Sequence, residues 1–505
     1  MHSPPTAEAA VAEELAVVRP GLVSRYAAEL PGARAAVLTR LWRALAHEPL
    51  PWLTDRADGP DGLTLRLADG RRLHGPRPDP YATAAYVRAV RLDEVAYDDP
   101  ARLMTDLAVA HGSAFAVELG HSVASLALSR AGAPEPSATW PVHDWEWERR
   151  VVDGHPYHPG CRSRPGFSVA EQLAYGPEHG PLVRLGLLAV AAGECLMTGG
   201  WPDELRDGER LLVPTHPWQA EHVLKRTCDT GIDARPLMSL RTLELPGAFD
   251  EPCGPHVKTA LSARLTSSVR DISVTSVAVS ATLSAFAQTL AARLDGLLHI
   301  TRTLGAVTAN SPDIAAVLRE SPQAYAAPGS GERVVPVAAL STTGLSDSPA
   351  WLADFTRLAL TVGLRLLDLG VALEAHGQNL LVVLSATGAP VRLVYRDLAD
   401  IRVSPARLAR HGIPVPELTG RLVTDDVTAL RRKLFGSLVA GSLAGTAGSA
   451  AALRGALQSA VPDLPRTPDL VALVEEPVPA KALTLMRLSP GAPGDQWTGL
   501  PNPLR

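Results

Sequence analysis

The segment Glu374-Ala-His-Gly-Gln-Asn379 places a carboxylate, an imidazole and an amide close together. Two strand-like runs follow it, separated by the turn sequence ATGAP. A hairpin turning near Gly388 pairs positions that are symmetric about the turn, so it would bring Asn379 and Asp397 together at its open end. We expect Glu374 and His376 to enter the same place from the preceding helix. Two carboxylates and an amide oxygen suit Mg²⁺ carrying nucleotide phosphates.

A purely structural interpretation of this segment stays open. In it, Asp397 pairs with Arg396 or Arg392 on a solvated strand, and Glu374 has no special role. Protein kinases place an Asn and an Asp around a comparable hairpin to bind magnesium, but here that comparison is only an analogy. The occurrence of all four groups at one helix-to-hairpin junction favours the magnesium–nucleotide hypothesis.

A second segment, GHPYHPGCRSRPGF, predicts a stiff basic loop, because its prolines fix φ and exclude a helix. His155, His158, Arg162 and Arg164 project from this loop. It could close over a triphosphate, with the arginines offering bidentate contacts. Two alternatives remain. One is a structural turn, and the other is a metal site made by His155, His158 and Cys161, which lacks a second thiol and lies beside repelling arginines.

A third segment, KTALSARLTSSVRD, alternates from Lys258 to Thr266 and predicts a strand. Thr266, Ser267 and Ser268 stand where a helix is predicted to begin, and hydroxyl and free N–H groups there make an anion site. Arg270 adds positive charge. A simple helix cap is the alternative interpretation of the cluster.

A short stiff segment, PTHPWQ, carries His216 and Trp218. These side chains either line a pocket or form a buried Trp packed beside a hydrogen-bonded His. The sequence leaves both open.

The elements that must position these motifs predict an α+β fold. Residues 1–130 are predicted to be mostly helical, with one hairpin around Asp69-Gly70. Loops rich in Pro, His, Trp and Gly follow, and a Pro/Gly/Ser-rich patch at 321–333 marks a boundary. Beyond it lie a long helical run, WLADFTRLALTVGLRLLDLGVALEAH, and the two strand-like runs.

Length and composition predict a globular protein of two or three domains around a shared cleft. The chain has 505 residues, 46% of them hydrophobic, and a net charge of −5, which argues against a nucleic-acid or anionic-membrane binder. Neither a signal peptide nor a transmembrane helix is predicted. The cysteines form no CxxC pair, which favours reduced thiols and a cytoplasmic location; they are Cys161, Cys195, Cys228 and Cys253.

Taken in order, GHPYHPGCRSRPGF, PTHPWQ, KTALSARLTSSVR, EAHGQN and YRD resemble the motif series of the IucA/IucC family, the siderophore synthetases that work without a peptide-synthesising assembly line. The resemblance runs from about residue 140 to the C-terminus, where KALTLMRL also resembles the closing segment of the family. It implies a hand-like fold with ATP held between fingers and palm. In this chain the thumb would be residues 1–130, the fingers 131–330 and the palm 331–505.

The resemblance also implies the chemistry. Such enzymes use ATP and Mg²⁺ to convert a carboxylate of citrate or a related acid to an acyl-adenylate, and an amine or hydroxyl then attacks to give an amide or ester. The residues implied for ATP are His155, Arg162, Arg164, Lys258, Thr266, Ser267, Ser268, Arg270, Arg302 and Asn379. Those implied for catalysis are Arg164, Arg270 and His376, where His376 holds the acid, and those implied for Mg²⁺ are Glu374, Asn379 and Asp397. Relatives are often dimers, so a homodimer is possible.

The chain departs from the family pattern at three positions. Arg162 stands where the family usually has Lys, Asp271 follows Arg270 where an uncharged residue is preferred, and Arg302 stands near a position where relatives often show Glu. Two alternatives to a synthetase remain. One is a kinase-like phosphotransferase, which should carry a glycine-rich phosphate loop that we do not find in the sequence. The other is an inactive binding module for ferric siderophores or citrate.

Overall fold

The structure is a computed structural model that describes residues 6–135, 137, 139–228, 230–247, 254–265, 268–418 and 420–505, with only the backbone at position 268. It is a mixed helix-and-sheet fold, as the sequence predicts. Its described residues bury three main hydrophobic cores. One lies in the N-terminal quarter of the chain, one on a nine-stranded sheet, and one mostly in the C-terminal third.

The N-terminal core packs four helices against an antiparallel five-stranded sheet. The helices are α1 (Ala7–Val18), α2 (Val23–His47), α3 (Pro100–Leu107) and α4 (Gly112–Ala131). The strands, in spatial order, are β1 (Leu53–Gly59), β2 (Gly62–Leu67), β3 (Arg72–Gly75), β4 (Val90–Leu92) and β5 (Val95–Tyr97). The predicted hairpin around Asp69-Gly70 joins β2 to β3 and is confirmed. The other strands escape sequence analysis because they are short or, as in β1, mostly exposed.

The middle of the chain forms the large sheet. Its strands and short neighbours are β6 (Val183–Ala191), β7 (Leu196–Gly199), β8 (Arg206–Asp207), β9 (Arg210–Thr215), β10 (Gly231–Pro236), β11 (Thr242–Glu244), β12 (His256–Thr259), β13 (Leu261–Leu265), β14 (Ser268–Arg270), β15 (Leu298–Ile300), β16 (Thr303–Ser311) and β17 (Ile314–Arg319). The helices are α5 (Asp144–Arg149), α6 (Val169–Tyr175), α7 (Val274–Ala278) and α8 (Ser280–Ala291). The nine strands follow the order β7-β16-β17-β12-β11-β10-β6-β9-β8, whereas β13 and β14 form a separate hairpin.

The third core surrounds a four-stranded sheet. The remaining strands are β18 (Arg333–Pro336), β19 (Val371–Ala372), β20 (Leu380–Leu384), β21 (Pro390–Tyr395), β22 (Arg402–Val403), β23 (Val478–Lys481) and β24 (Trp497–Leu500). The helices are α9 (Pro349–Leu369), α10 (Pro405–Arg410), α11 (Val427–Ser437), α12 (Ala444–Ala447), α13 (Ala450–Ala460), α14 (Pro468–Glu475) and α15 (Leu483–Leu488), with a π-helical segment Leu438–Leu443 between α11 and α12. The sheet order is β15-β21-β20-β18. Because β15 pairs with β21 and α8 packs in this core, part of the middle region belongs to it.

The C-terminal segment returns to the N-terminal helices. Backbone N–H groups of Thr484 and Leu485, at the start of α15, donate to the buried carboxylate of Glu48 at 3.1 and 2.7 Å. Arg487 forms an ion pair with Glu118 of α4. The first and last parts of the chain are therefore packed together.

Among the described residues, no single helix is long and apolar enough to cross a bilayer. One pair of helices, Val427–Ala447 and Ala450–Asp463, passes the length and composition test only jointly, and it is bent by 115°.

Candidate active site

A cleft of about 1280 Å³ is lined by residues that belong to all three parts of the molecule. Arg40 of α2, Lys258 of β12 and Lys433 of α11 are examples. Pockets that hold one drug-sized ligand measure roughly 300–1,000 Å³, so this cleft has room for more than one substrate.

The predicted hairpin is confirmed and reaches the cleft with its open end. Strands β20 and β21 pair with Leu380 opposite Tyr395, and the Arg396 N–H donates to the Asn379 carbonyl at 3.0 Å. The prediction that Glu374 and His376 lie on the preceding helix is wrong. Helix α9 ends at Leu369 and is capped by Gly370, whose φ of +111° is left-handed, so both residues lie in the connection to β20. Glu374, His376 and Asn379 all line the cleft.

Asp397 follows the hairpin and is held by two cations. Its carboxylate accepts from Lys258 Nζ at 2.6 Å and from an Arg319 amino group at 3.0 Å. Lys258 pairs with Val317, so Lys258 and Arg319 lie on the same face of adjacent strands and point toward one place. Burial opposes ionisation of Asp397, but Arg319 and Lys258 outweigh it and hold its pKa well below the usual range. Burial lowers the pKa of Lys258, although Asp397 opposes this.

Glu374 is the centre of a second charged group. Its Oε1 atom lies 3.1 Å from Lys433 Nζ and 3.2 Å from Lys481 Nζ. Its Oε2 atom lies 4.0 Å from Nε2 of His376. Enclosure in the cleft lowers the pKa of His376, with Glu374 opposing and Lys481 adding to the effect. The imidazole therefore favours its neutral form.

The oxygen donors predicted to bind Mg²⁺ are chemically suitable for it. Asn379, Glu374 and Asp397 line one cleft, and the two carboxylates are partly exposed to it, at 19% and 25% of their side-chain surface. Hard oxygen donors of this kind are those Mg²⁺ prefers. Each carboxylate contacts two cations in this structure, and these same cations can pair with phosphate or carboxylate oxygens of a ligand.

The basic loop lines the cleft, but its arginines contact protein groups. Arg164 donates to both carboxylate oxygens of Glu178 at 2.8 and 3.1 Å, and this ion pair is buried. Arg162 donates to the carbonyls of Val152, at 2.7 Å, and Val151. These contacts do not offer the bidentate fork that the sequence suggests for ATP. The ATP role of both arginines stays a prediction.

The histidines of the loop differ from one another. His155 is open to water inside the cleft, and its pKa is lowered well below the usual range by enclosure and by the nearby His158 and His376. His158 is buried, and its Nδ1 accepts from the Gly160 N–H at 2.8 Å. Cys161 Sγ contacts a guanidinium N–H of Arg40 at 3.2 Å. Among the described residues this His/His/Cys set is not one of the groups whose ligand atoms converge within 4.8 Å.

The prediction of a helix start at the TSS cluster is wrong. Strands β13 and β14 flank the cluster as an antiparallel hairpin, and the next helix begins at Val274 with Ser273 as its cap. Thr266, Ser267 and the side chain of Ser268 lie outside the described residues. Arg270 lines the cleft, donates to the Leu265 carbonyl at 3.3 Å, and interacts electrostatically with Glu374 and Asp397.

Two other candidates lie away from the cleft lining. Arg302 pairs with Glu320, and its side chain is 61% exposed. Glu320 lines the cleft, whereas Arg302 does not. His216 is fully buried, with its Nδ1 accepting from the Trp218 N–H at 3.2 Å. Trp218 stacks on Phe167, so the buried-packing interpretation of PTHPWQ is the one that this structure supports.

Sequence analysis missed several cations of the cleft. They are Arg241, Arg319, Arg396, Lys433 and Lys481. One signal could have found two of them: the chain has four lysines in all, Lys225, Lys258, Lys433 and Lys481, and three of these line the cleft. The arginines carry no such signal, because arginine is common throughout the chain.

Two solved structures of proteins from siderophore biosynthesis have a similar fold. Over 97% of this chain and 98% of the other, it superposes on the petrobactin biosynthesis protein AsbB from Bacillus anthracis with a TM-score of 0.77 at 17% sequence identity. The ATP-bound aerobactin synthetase IucA from Klebsiella pneumoniae gives a TM-score of 0.72 at 20% identity, over 94% of this chain and 99% of that one. At 17% and 20% identity, these similarities show the fold alone.

Sequence comparisons agree with the fold. Residues 143–342 match the IucA / IucC family model, and residues 349–493 match the model of the ferric iron reductase FhuF-like transporter. Over residues 143–342 the chain is therefore similar to the IucA/IucC family. It is 26% identical to the citryl-spermidine/3,4-dihydroxybenzoyl-citryl-spermidine:spermidine ligase of Bacillus anthracis and 26% identical to the N(2)-citryl-N(6)-acetyl-N(6)-hydroxylysine synthase of Escherichia coli. Each match covers 50% of this chain, and 51% and 56% of the relatives, so the chain spans about half the length of the curated relatives it matches.

Proposed function

We propose that this protein is an ATP-dependent siderophore synthetase. It would activate one carboxylate of citrate or a related polycarboxylic acid and join it to an amine or hydroxyl. The observation that supports this most is the single cleft that holds His376, Arg270 and the Glu374/Asn379/Asp397 oxygen set beside a cluster of cations. The named relatives are ligases and synthases of citryl compounds, which supports the same substrate class.

The reaction has two steps with simple requirements. A carboxylate oxygen of the acid attacks the α-phosphorus of ATP and pyrophosphate leaves. The amine or hydroxyl then attacks the acyl carbon, loses its proton, and AMP leaves. Both steps bring anions together, so the first task of the protein is to hold and neutralise negative charge in a confined site.

The residues of the cleft can perform these tasks. Lys258, Arg270 and Arg319 supply positive charge for phosphate oxygens. The neutral imidazole of His376 can donate a hydrogen bond to the acid. Mg²⁺, when bound to Glu374, Asn379 and Asp397, supplies further neutralisation of the triphosphate.

The hand-like division is part of this proposal. Residues 1–130 would act as thumb, 131–330 as fingers and 331–505 as palm, with ATP between fingers and palm. The three hydrophobic cores support this division, with α8 and β15 assigned to the palm core. The possible homodimer and the cytoplasmic location also stay proposals.

The test is an assay of pyrophosphate and acyl-hydroxamate release with Mg·ATP, hydroxylamine and citrate, succinate, 2-oxoglutarate or malate. We expect a signal with at least one acid, and at least a hundredfold loss in His376→Ala and Asp397→Asn. Asn is chosen because position 397 has a φ of +70°, which Asn tolerates. Lys225→Met, at an exposed position, is the control and should retain full activity.

Other outcomes would point elsewhere. Release of ADP without pyrophosphate would replace the synthetase with a phosphotransferase. Failure to bind Mg·ATP would favour a binding module without enzymatic activity.

A further inference from the structure

Lysine is rare in this chain, and its positions are informative. Four of the 48 basic side chains are lysines, and all the rest are arginines. Three lysines line the cleft, whereas Lys225 is exposed elsewhere. A generic surface cation can be either residue, because surface ion pairs contribute little. A compact ammonium with three rotatable donors is needed where arginine's planar fork does not fit, so the cleft lysines are candidates for specific ligand contacts.

Two of these lysines converge on one carboxylate oxygen. Lys433 Nζ lies 3.1 Å, and Lys481 Nζ 3.2 Å, from the same Oε1 atom of Glu374. Asp400 contacts Lys433 at 2.6 Å, and Asp495 contacts Lys481 at 3.2 Å, so each ammonium has a second carboxylate partner. The result is a preformed place for one carboxylate, occupied here by the side chain of Glu374.

We propose that Lys433 and Lys481 bind a second carboxylate of the acid substrate, and that Glu374 fills this place in the free protein. This inference rests on the proposed synthetase function and deepens it, because it names side chains that select acids with two or more carboxylates. His376 adjoins the pair through Glu374, so one carboxylate of the acid can bind the lysines while another lies at His376.

The surroundings are suited to such an exchange. Lys433 is 3% exposed at its side chain, so its charge is poorly screened and its pairing with a carboxylate is strong. Replacing Glu374 by a ligand carboxylate keeps both ammonium groups paired, and the displaced Glu374 side chain, 19% exposed here, borders the cleft. Gly436, Ala440 and Gly441 line the adjoining wall of the cleft, and their small size leaves room for the carbon skeleton of the acid. A monocarboxylate bound at His376 has no second group with which to displace Glu374.

Calorimetric titration of the full chain with the four acids, without ATP or Mg²⁺, tests this directly. We expect Lys433→Met and Lys481→Met to weaken binding of the best acid at least tenfold, and Lys225→Met to leave it unchanged. Glu374→Gln removes the competing carboxylate and should strengthen binding several-fold. Lys481 is 31% exposed at its side chain, so its variant should fold even if the buried Lys433 variant does not, which thermal unfolding will check.

The outcomes separate this inference from the proposed function. Unchanged affinity in Lys481→Met, weaker binding in Glu374→Gln, or no binding of any acid by the wild-type protein would overturn the inference. Pyrophosphate release by the wild-type protein with an unchanged KM for the acid in Lys481→Met would also overturn it and leave the synthetase standing. Acid binding that depends on the lysines, with no pyrophosphate release, would keep the inference and reject the synthetase.

Discussion

At the scale of single residues, buried charged side chains in this protein form small groups of ion pairs. Glu178 is fully buried and pairs with Arg164 and, at 3.8 Å, with Arg162. Burial opposes ionisation of Glu178, but the two arginines outweigh it and hold its pKa well below the usual range. Glu178 therefore anchors the GHPYHPGCRSRPGF loop through Arg162 and Arg164. The sequence assigns both arginines to ATP, and that role stays a prediction.

Glu178→Gln should therefore destabilise the protein strongly. The substitution leaves two buried guanidinium groups without their counter-ion, for which we expect a loss of about 3–5 kcal/mol in the free energy of unfolding. Arg184→Met is a matched control, because the Arg184–Asp233 pair is exposed and its loss should cost under about 1 kcal/mol. Urea unfolding measures both. Equal small losses would show that the loop arginines do not depend on Glu178.

At the scale of elements, the β20–β21 hairpin is the feature that places the predicted site. Its turn is tied to α9, because the indole N–H of Trp351 donates to the Gly388 carbonyl at 2.7 Å. Gly388 has a φ of +85°, a backbone conformation that residues other than Gly rarely adopt. The turn thus fixes the register, and the register brings Asn379 beside Arg396 and Asp397 at the open end.

Gly388→Ala should weaken this hairpin. The left-handed conformation at that position costs a residue with a Cβ roughly 1–2 kcal/mol of stability. Gly455→Ala is the control variant, for which we expect a stability change of the opposite sign. Gly455 lies inside α13, and a Cβ there meets no atom within 4 Å, so this change should stabilise by up to about 1 kcal/mol. Thermal unfolding of the two variants distinguishes them, and a shift of the same sign in both would contradict the turn argument.

At the scale of the whole molecule, segments near the two ends of the chain pack together beside the cleft. Lys481 ends β23 and contacts Glu374, and the next helix, α15, is docked on the N-terminal lobe through Glu48. Burial raises the pKa of Glu48 to about 7, despite the N–H donors of Leu485 and Thr484. This docking contact is therefore sensitive to pH.

Glu48→Gln should alter how stability depends on pH. The folded-state pKa of Glu48 lies above its ordinary value of 4.5, so the folded protein binds the proton more tightly than the unfolded chain. The resulting stabilisation is complete below about pH 4.5 and is lost as pH rises through about 7, up to roughly 3 kcal/mol in all. The neutral amide lacks this loss, so the wild-type protein should fall in stability relative to the variant between pH 5 and 8. Parallel pH-dependent melting curves would contradict this.

The sequence by itself determined the local part of the site. The hairpin around Gly388 follows from alternation and turn chemistry, both of which are short-range, and so does the hairpin at Asp69-Gly70. The stiff loop around His155 follows from its prolines. The ordered motifs also indicate a resemblance to the IucA/IucC family, and residues 143–342 match the model of that family.

Only the tertiary structure decided which charges are paired. Arg164 meets Glu178 across a buried contact, and Lys433 and Lys481 reach Glu374 from elements far apart in the chain. No local pattern encodes these pairings, because ion pairs form between side chains that folding brings together from different parts of the sequence. The end of α9 at Leu369 and the pairing of β13 with β14 also differ from the sequence prediction, because helix propensity is only a weak local preference that tertiary context overrides.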